Sequence, residues 1–110
     1  MVDGQELRAA LRAARVGGSV EVEVFTRDFL FPLAAQATAS LRDEDEDGFD
    51  DVVQAAVIAM YRVLHRVNMD GNPYSYLRNV ARNAAVSELN RRRRWQARHL
   101  SLNAIELDDV

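Results

Sequence analysis

Between Tyr74 and Trp95 the stretch YSYLRNVARNAAVSELNRRRRW gathers three kinds of side chain. Aromatic planes stand at Tyr74, Tyr76 and Trp95, amides at Asn79, Asn83 and Asn90, and guanidinium groups at Arg78, Arg82 and Arg91 to Arg94. Rings of this kind stack on unpaired bases, amides meet base edges, and guanidinium forks seat on phosphates. Residues 74–98 carry 7 arginines and the single acid Glu88, a balance of +6. Residues 1–73 carry 13 acids and 7 arginines, a balance of −6, and 3 more acids follow residue 98. The formal net charge of −3 therefore hides one basic segment on an acidic chain, and the distribution, not the total, points to nucleic acid. Cations also suit a helix C-terminus, but four consecutive arginines beside Trp95 weigh toward a polyanionic partner. That every basic residue is arginine is read as a habit of an Ala- and Arg-rich chain, not as recognition chemistry.

These side chains need a helix to hold them. Gly71-Asn72-Pro73 is a turn with proline at a first helical position. From there Tyr74, Leu77, Val80, Ala81, Ala84 and Ala85 recur at helical spacing as an inward face. Ser75, Asn79, Arg82, Asn83, Asn90 and Arg93 fall outward. Pro73 to Trp95 as one helix spans roughly 33 Å. Beyond Trp95, QARHLSLNAIELDDV is expected to form a loop with a short apolar return and an acidic end.

Upstream, Gln5 to Arg15 places Leu7, Ala10, Leu11 and Ala14 on one helical face and stops at Gly17-Gly18. Val20 to Val24 alternates with Glu21 and Glu23 as a strand would, yet nothing in the chain offers it a partner. Phe25, Phe29, Leu33, Ala37 and Leu41 then recur every four residues, so the chain from Ser19 to Arg42 is expected to be helical, with Pro32 as a kink or a first turn. Asp43 to Asp51 is an acidic connector, and Asp50 and Asp51 suit the positive end of the next helix. Asp51 to Val67 is expected to be a helix burying Val52, Val53, Ala56, Val57, Met60, Val63, Leu64 and Val67. Its other side carries Gln54, Ile58, Tyr61, Arg62 and His65. An Ile–Tyr pair framed by polar groups has the make-up of an interface centre.

The chain of 110 residues suffices for one small domain and a modest core. It has no cysteine, so it holds neither disulfide nor thiolate metal site, which suits a reducing cytoplasm. No apolar run has the length of a bilayer span, and the amphipathic N-terminus is no signal peptide. The expected fold is all-α, a compact bundle of about four helices. Residues 1–24 form an N-terminal lead, 25–95 the main helical domain, and 96–110 an acidic tail. His65 and His99 are the only histidines, and no glycine-rich phosphate loop is present, so no enzyme activity and no cofactor are expected. Asp43 to Gly48 does match the opening of an EF-hand calcium loop. Its eighth position is Asp50 and its twelfth Gln54, where a bidentate Glu is needed, so calcium binding through Asp43–Asp51 stands only as a lesser alternative.

FDDVVQAAVIAMYRVLHRV and the following PYSYLRNVARNAAVSELNRRRRW together resemble region 2 of sigma factors of the compact extracytoplasmic-function group. Asp51-Val52-Val53-Gln54 stands at the first motif of that family, and Tyr76 to Asn83 with Leu89 to Arg94 at the second. Phe31-Pro32 and the residues after it look like the first region 2 helix, and the lead helix matches too. The resemblance implies that Asp51, Gln54, Ile58, Tyr61 and Arg62 bind the clamp helices of the RNA polymerase largest subunit. It implies that Tyr74, Tyr76, Arg78, Asn79, Arg82, Asn83, Arg91, Arg92, Arg93, Arg94 and Trp95 bind the single-stranded non-template strand of the promoter −10 element. Residues 96–107 would be the loop that cradles a flipped base. Ala55 stands where the motif has Glu, and Tyr76 where it has Trp. The chain stops at Val110, where the family continues into a domain that reads the −35 element. That leaves a fragment, half of a split sigma factor with a separate region 4-like partner, or a regulator that occupies polymerase without initiating. An anti-sigma factor is a further expected partner. The reading from another class is a protein-interaction module that never touches DNA.

Overall fold

The computed structural model describes residues 4–44, 46 and 48–108, and among them there is helix and no strand. Helix α1 spans Gly4–Val16 and buries Leu7, Leu11 and Ala14, the face its spacing predicts. Helix α2 spans Ser19–Phe25. Its start is closed by Glu21, whose carboxylate accepts from the Gly18 N–H at 2.8 Å, so Val20 to Val24 is helical despite its alternation. A π-helical turn, Thr26–Leu30, leads without a break into α3, Phe31–Thr38. Pro32 explains the widened turn. Its ring would press on the carbonyl four residues back in a regular helix. Here the Phe31 N–H instead reaches the Thr26 carbonyl, five residues back. A 3-10 turn, Ala39–Glu44, ends this rod.

Helix α4 spans Phe49–Arg62 and buries Phe49, Val52, Ala56, Val57 and Met60. The Arg42 guanidinium lies 5.1 Å from the Phe49 ring centroid, tying the preceding rod to the start of α4. The helix expected to reach Val67 ends earlier, at Arg62, and Leu64–Arg66 is a 3-10 turn. An arginine from α1 seats at this end. Arg15 donates from Nε and Nη2 to the Leu64 carbonyl, at 2.9 and 2.7 Å, and from Nη2 to the Val67 carbonyl. Carbonyls at the end of a helix lack an intrahelical partner, and here two of them are satisfied from outside. Arg8 does the same for the next turn, donating to the Gly71 carbonyl at 3.0 Å. The lead helix thus braces the α4–α5 connection at both ends. Arg15→Ala is expected to cost about 1.5–3 kcal/mol, the range for hydrogen bonds to a charged group. Urea unfolding monitored by circular dichroism measures it.

Helix α5 spans Pro73–Asp108, 36 residues. Asn72 caps it, accepting from the Ser75 N–H at 3.2 Å through Oδ1, with Pro73 in the first turn as the sequence indicates. Leu77, Ala81, Ala85 and Leu89 are buried in series, and α5 packs chiefly on α4, then α3, with further contacts to α1. The loop expected from Gln96 is helix instead. At 1.5 Å per residue α5 is about 54 Å long, against molecular extents of 62 × 26 × 20 Å. Residues 93–100 are exposed, so the helix leaves the body after Arg92. Trp95 and Leu100 are both exposed, and hydrogen bonds along the helix's own axis carry it on.

One buried cluster draws on every helix, including Leu7 and Leu11 of α1, Phe25 of α2, Leu33 of α3, Met60 of α4 and Leu77 of α5. A second joins Leu41, Val52, Ala85 and Leu89. Thr38, buried among these helices, donates its hydroxyl to the Ala34 carbonyl at 2.7 Å and so carries no unsatisfied group inward. The all-α expectation therefore holds, with α1, the α2–α3 rod, α4 and α5 as its four rods.

Candidate nucleic-acid and partner interfaces

The exposed side of α4 is a single stripe. Asp51, Gln54, Ile58, Tyr61 and Arg62 are all exposed and follow one another at helical spacing, with His65 exposed on the turn beyond. Ile58 is 49% and Tyr61 53% exposed, so neither belongs to the core. Two hollows flank the stripe. One, of about 570 Å³, lies between α4 and the α2–α3 rod and is lined by Val22, Thr26, Phe31, Val57, Ile58 and Tyr61 among others. The other, of about 490 Å³, lies between α4 and α5; Ala55, Ala59, Ala84 and Ser87 are among its small residues, and Arg62, Arg91 and Arg94 bring cations to it. The sequence reading missed Val22 and Phe31. The only signal was Phe31 beside Pro32 and a valine alternation with no strand to join.

On α5 the predicted residues divide. Tyr76, Arg78, Asn79, Arg82 and Asn83 are exposed over the first two to three turns, and Arg82 donates to the Ser40 hydroxyl at 3.4 Å. Tyr74 is half-buried against the core, its hydroxyl 3.5 Å from Oε1 of Gln36. It buttresses the helix start.

The four arginines from Arg91 to Arg94 do not form one patch, because successive helical residues point about 100° apart. Arg91 holds Glu88 with two hydrogen bonds, 3.0 Å from Nε and 2.6 Å from Nη2. That contact keeps the Glu88 carboxyl below its usual range and raises Arg91, so the pair is charged at neutral pH. Arg92 turns the other way, toward the acidic connector, and pairs with Asp51 at 3.2 Å. Arg93 and Arg94 are exposed. Trp95 is 60% exposed and stacks on His99, ring centroids 5.1 Å apart and planes within 6°. With Arg91, Arg92 and Gln96 it lines a third hollow of about 260 Å³. Cationic walls beside an aromatic plane suit a phosphate or a base.

The described residues contain no group of three or more metal-ligating side chains. Asp45 and Asp47 of the calcium-loop motif lie outside the described residues. No helix of the described residues is long and apolar enough to cross a membrane.

The acidic connector, the exposed α4 stripe and the basic, aromatic α5 lie together on one four-rod helical bundle. The family described as sigma-70 region 2 matches residues 33–95, more than half of the chain, and the chain belongs to that family. No curated protein and no solved structure matches it. The family consists of transcription initiation factors, not enzymes, and it acts on RNA polymerase core and promoter DNA.

Proposed function

We propose that this chain docks on the clamp helices of the RNA polymerase largest subunit through the α4 stripe and holds the single-stranded non-template strand of the −10 element along α5. The observation that carries the reading is the exposed Gln54–Ile58–Tyr61–Arg62 stripe, an apolar pair with a polar frame, inside the segment that matches the family. Interfaces concentrate their energy in such central aromatic and aliphatic anchors. On α5, Tyr76 offers a stacking plane, Asn79 and Asn83 offer amides, and Arg78, Arg82, Arg93 and Arg94 offer guanidinium groups. Stacking of one base on such a ring is worth about 1–3 kcal/mol.

A second reading is favoured by one observation. Arg91 and Arg92 are both engaged by acids of the chain itself, which lowers the charge left for DNA and suits a regulator that binds polymerase alone. A pull-down on the isolated clamp helices distinguishes polymerase binding from its absence. Gln54→Ala is expected to weaken retention by about 3–10-fold, the loss of one or more interfacial hydrogen bonds. Retention equal to wild type would remove Gln54 from the interface, and no retention of either protein would remove polymerase.

A further inference from the structure

Arg92 departs from the rest of the basic run. Its Nη1 lies 3.2 Å from Oδ2 of Asp51, and its side chain is 24% exposed although the residues that follow it are open to solvent. The same guanidinium covers the backbone at Gly48. A Cβ built there would stand 2.1 Å from Nη2, 2.3 Å from Cζ and 2.5 Å from Nε of Arg92. Gly48 has φ −105°, a conformation open to any L-residue. The backbone therefore does not require glycine at this position; the seated guanidinium does.

The two residues of this contact belong to opposite surfaces in the function proposed above. Asp51 opens the polymerase-facing stripe, and Arg92 sits in the DNA-facing run. A guanidinium directed at Asp51 and the Gly48 backbone is not directed at a phosphate. We infer that Arg92 couples the two surfaces. In the free chain it is held on the acidic turn, and a partner that takes Asp51 releases it to the nucleic acid. By linkage the coupling is reciprocal, so a strand that draws Arg92 away also frees Asp51. The inference rests on the proposed function, and it concerns a positioning contact in the free chain. Exposed ion pairs are weak, so the contact tunes affinity by several-fold and does not act as a lock.

Gly48→Ala tests it, because the substitution alters neither the charge nor the allowed backbone and meets only the far end of a flexible side chain. Binding of the free, full chain to a fluorescein-labelled single-stranded oligothymidine is followed by anisotropy across a salt series. Gly48→Ala is expected to tighten binding about fivefold at low salt and to steepen the log–log salt slope by about 0.7, one single-strand phosphate contact. In an Arg92→Ala background the same substitution is expected to gain nothing. Asp51→Asn supplies a second test against Asp50→Asn, which makes the same change in charge one residue away. Asp51→Asn is expected to gain more and to steepen the slope. A folded Gly48→Ala with unchanged affinity, a gain that persists without Arg92, or equal gains from the two Asn variants overturns the coupling alone. Failure of every variant to bind the oligonucleotide overturns the DNA reading, and the coupling with it.

Discussion

Leu77→Ala is expected to lower the free energy of unfolding by about 2–5 kcal/mol, with the upper half of that range favoured. Leu77 has no exposed surface and sits in the cluster to which all five helices contribute. Truncation removes the transfer energy of the buried side chain and leaves a cavity, whose cost depends on how far the surroundings collapse into it. Here collapse is limited. Ala34, Ala37, Ala56 and Ala81 belong to the same cluster, and alanine has no rotamer with which to reach into a void. A domain of this size is stable by about 5–15 kcal/mol in total, so the variant is expected to lose a large fraction of its stability. Urea unfolding followed by far-ultraviolet circular dichroism measures the change, with Val86→Ala as reference. Val86, 39% exposed on the same helix, is expected to change stability by less than about 0.5 kcal/mol. A loss below about 1 kcal/mol at Leu77 would mean that α5 is not anchored through this residue.

Ile58→Asp is expected to reduce binding to RNA polymerase core by at least about 30-fold, the effect of removing an interface anchor worth 2 kcal/mol or more. The expectation follows from position and chemistry together. Ile58 is 49% exposed at mid-helix, lies next to Tyr61 on the stripe, and borders both hollows that flank α4. An aspartate in its place would be desolvated by any partner that covers the stripe, and an unpaired buried carboxylate is far more costly than a lost contact. The fold has little stake in the side chain, so the helical spectrum and the urea midpoint are expected to stay close to wild type. Surface plasmon resonance on immobilised core enzyme reads the affinity. Unchanged binding by a folded Ile58→Asp protein would place the polymerase contact off the α4 stripe.

Much of the architecture was legible because burial follows periodicity. Leu7, Leu11 and Ala14, the four-residue recurrence from Phe25 to Leu41, and the Leu77-Ala81-Ala85 row all read as inward faces, and the structure buries them or packs them against the core. The Gln54 to Arg62 stripe was legible for the same reason, since a helix leaves outward what its core face does not claim. Two boundaries were misread for reasons that lie outside the segment concerned. Arg15 seats on the Leu64–Arg66 turn from 49 residues before the Leu64 carbonyl it binds, and no local pattern announces such a contact. Over residues 93–100 the helix continues with every residue exposed, where an apolar pattern is no guide.

What this sequence determined by itself is the set of amphipathic faces, the turn at Gly71-Asn72-Pro73 that opens α5, and the separation of a basic segment from an acidic chain. Each depends on residues within a few positions of one another, where spacing converts directly into geometry. Only the tertiary structure decided which of the charged and aromatic groups remain outward. Arg92 crosses to Gly48 and Asp51, whereas Arg93 and Arg94 stay exposed. Four adjacent arginines are identical in the sequence; their directions differ by 100° steps, so Arg91 finds Glu88 on its own helix while Arg92 meets the start of α4 folded against it.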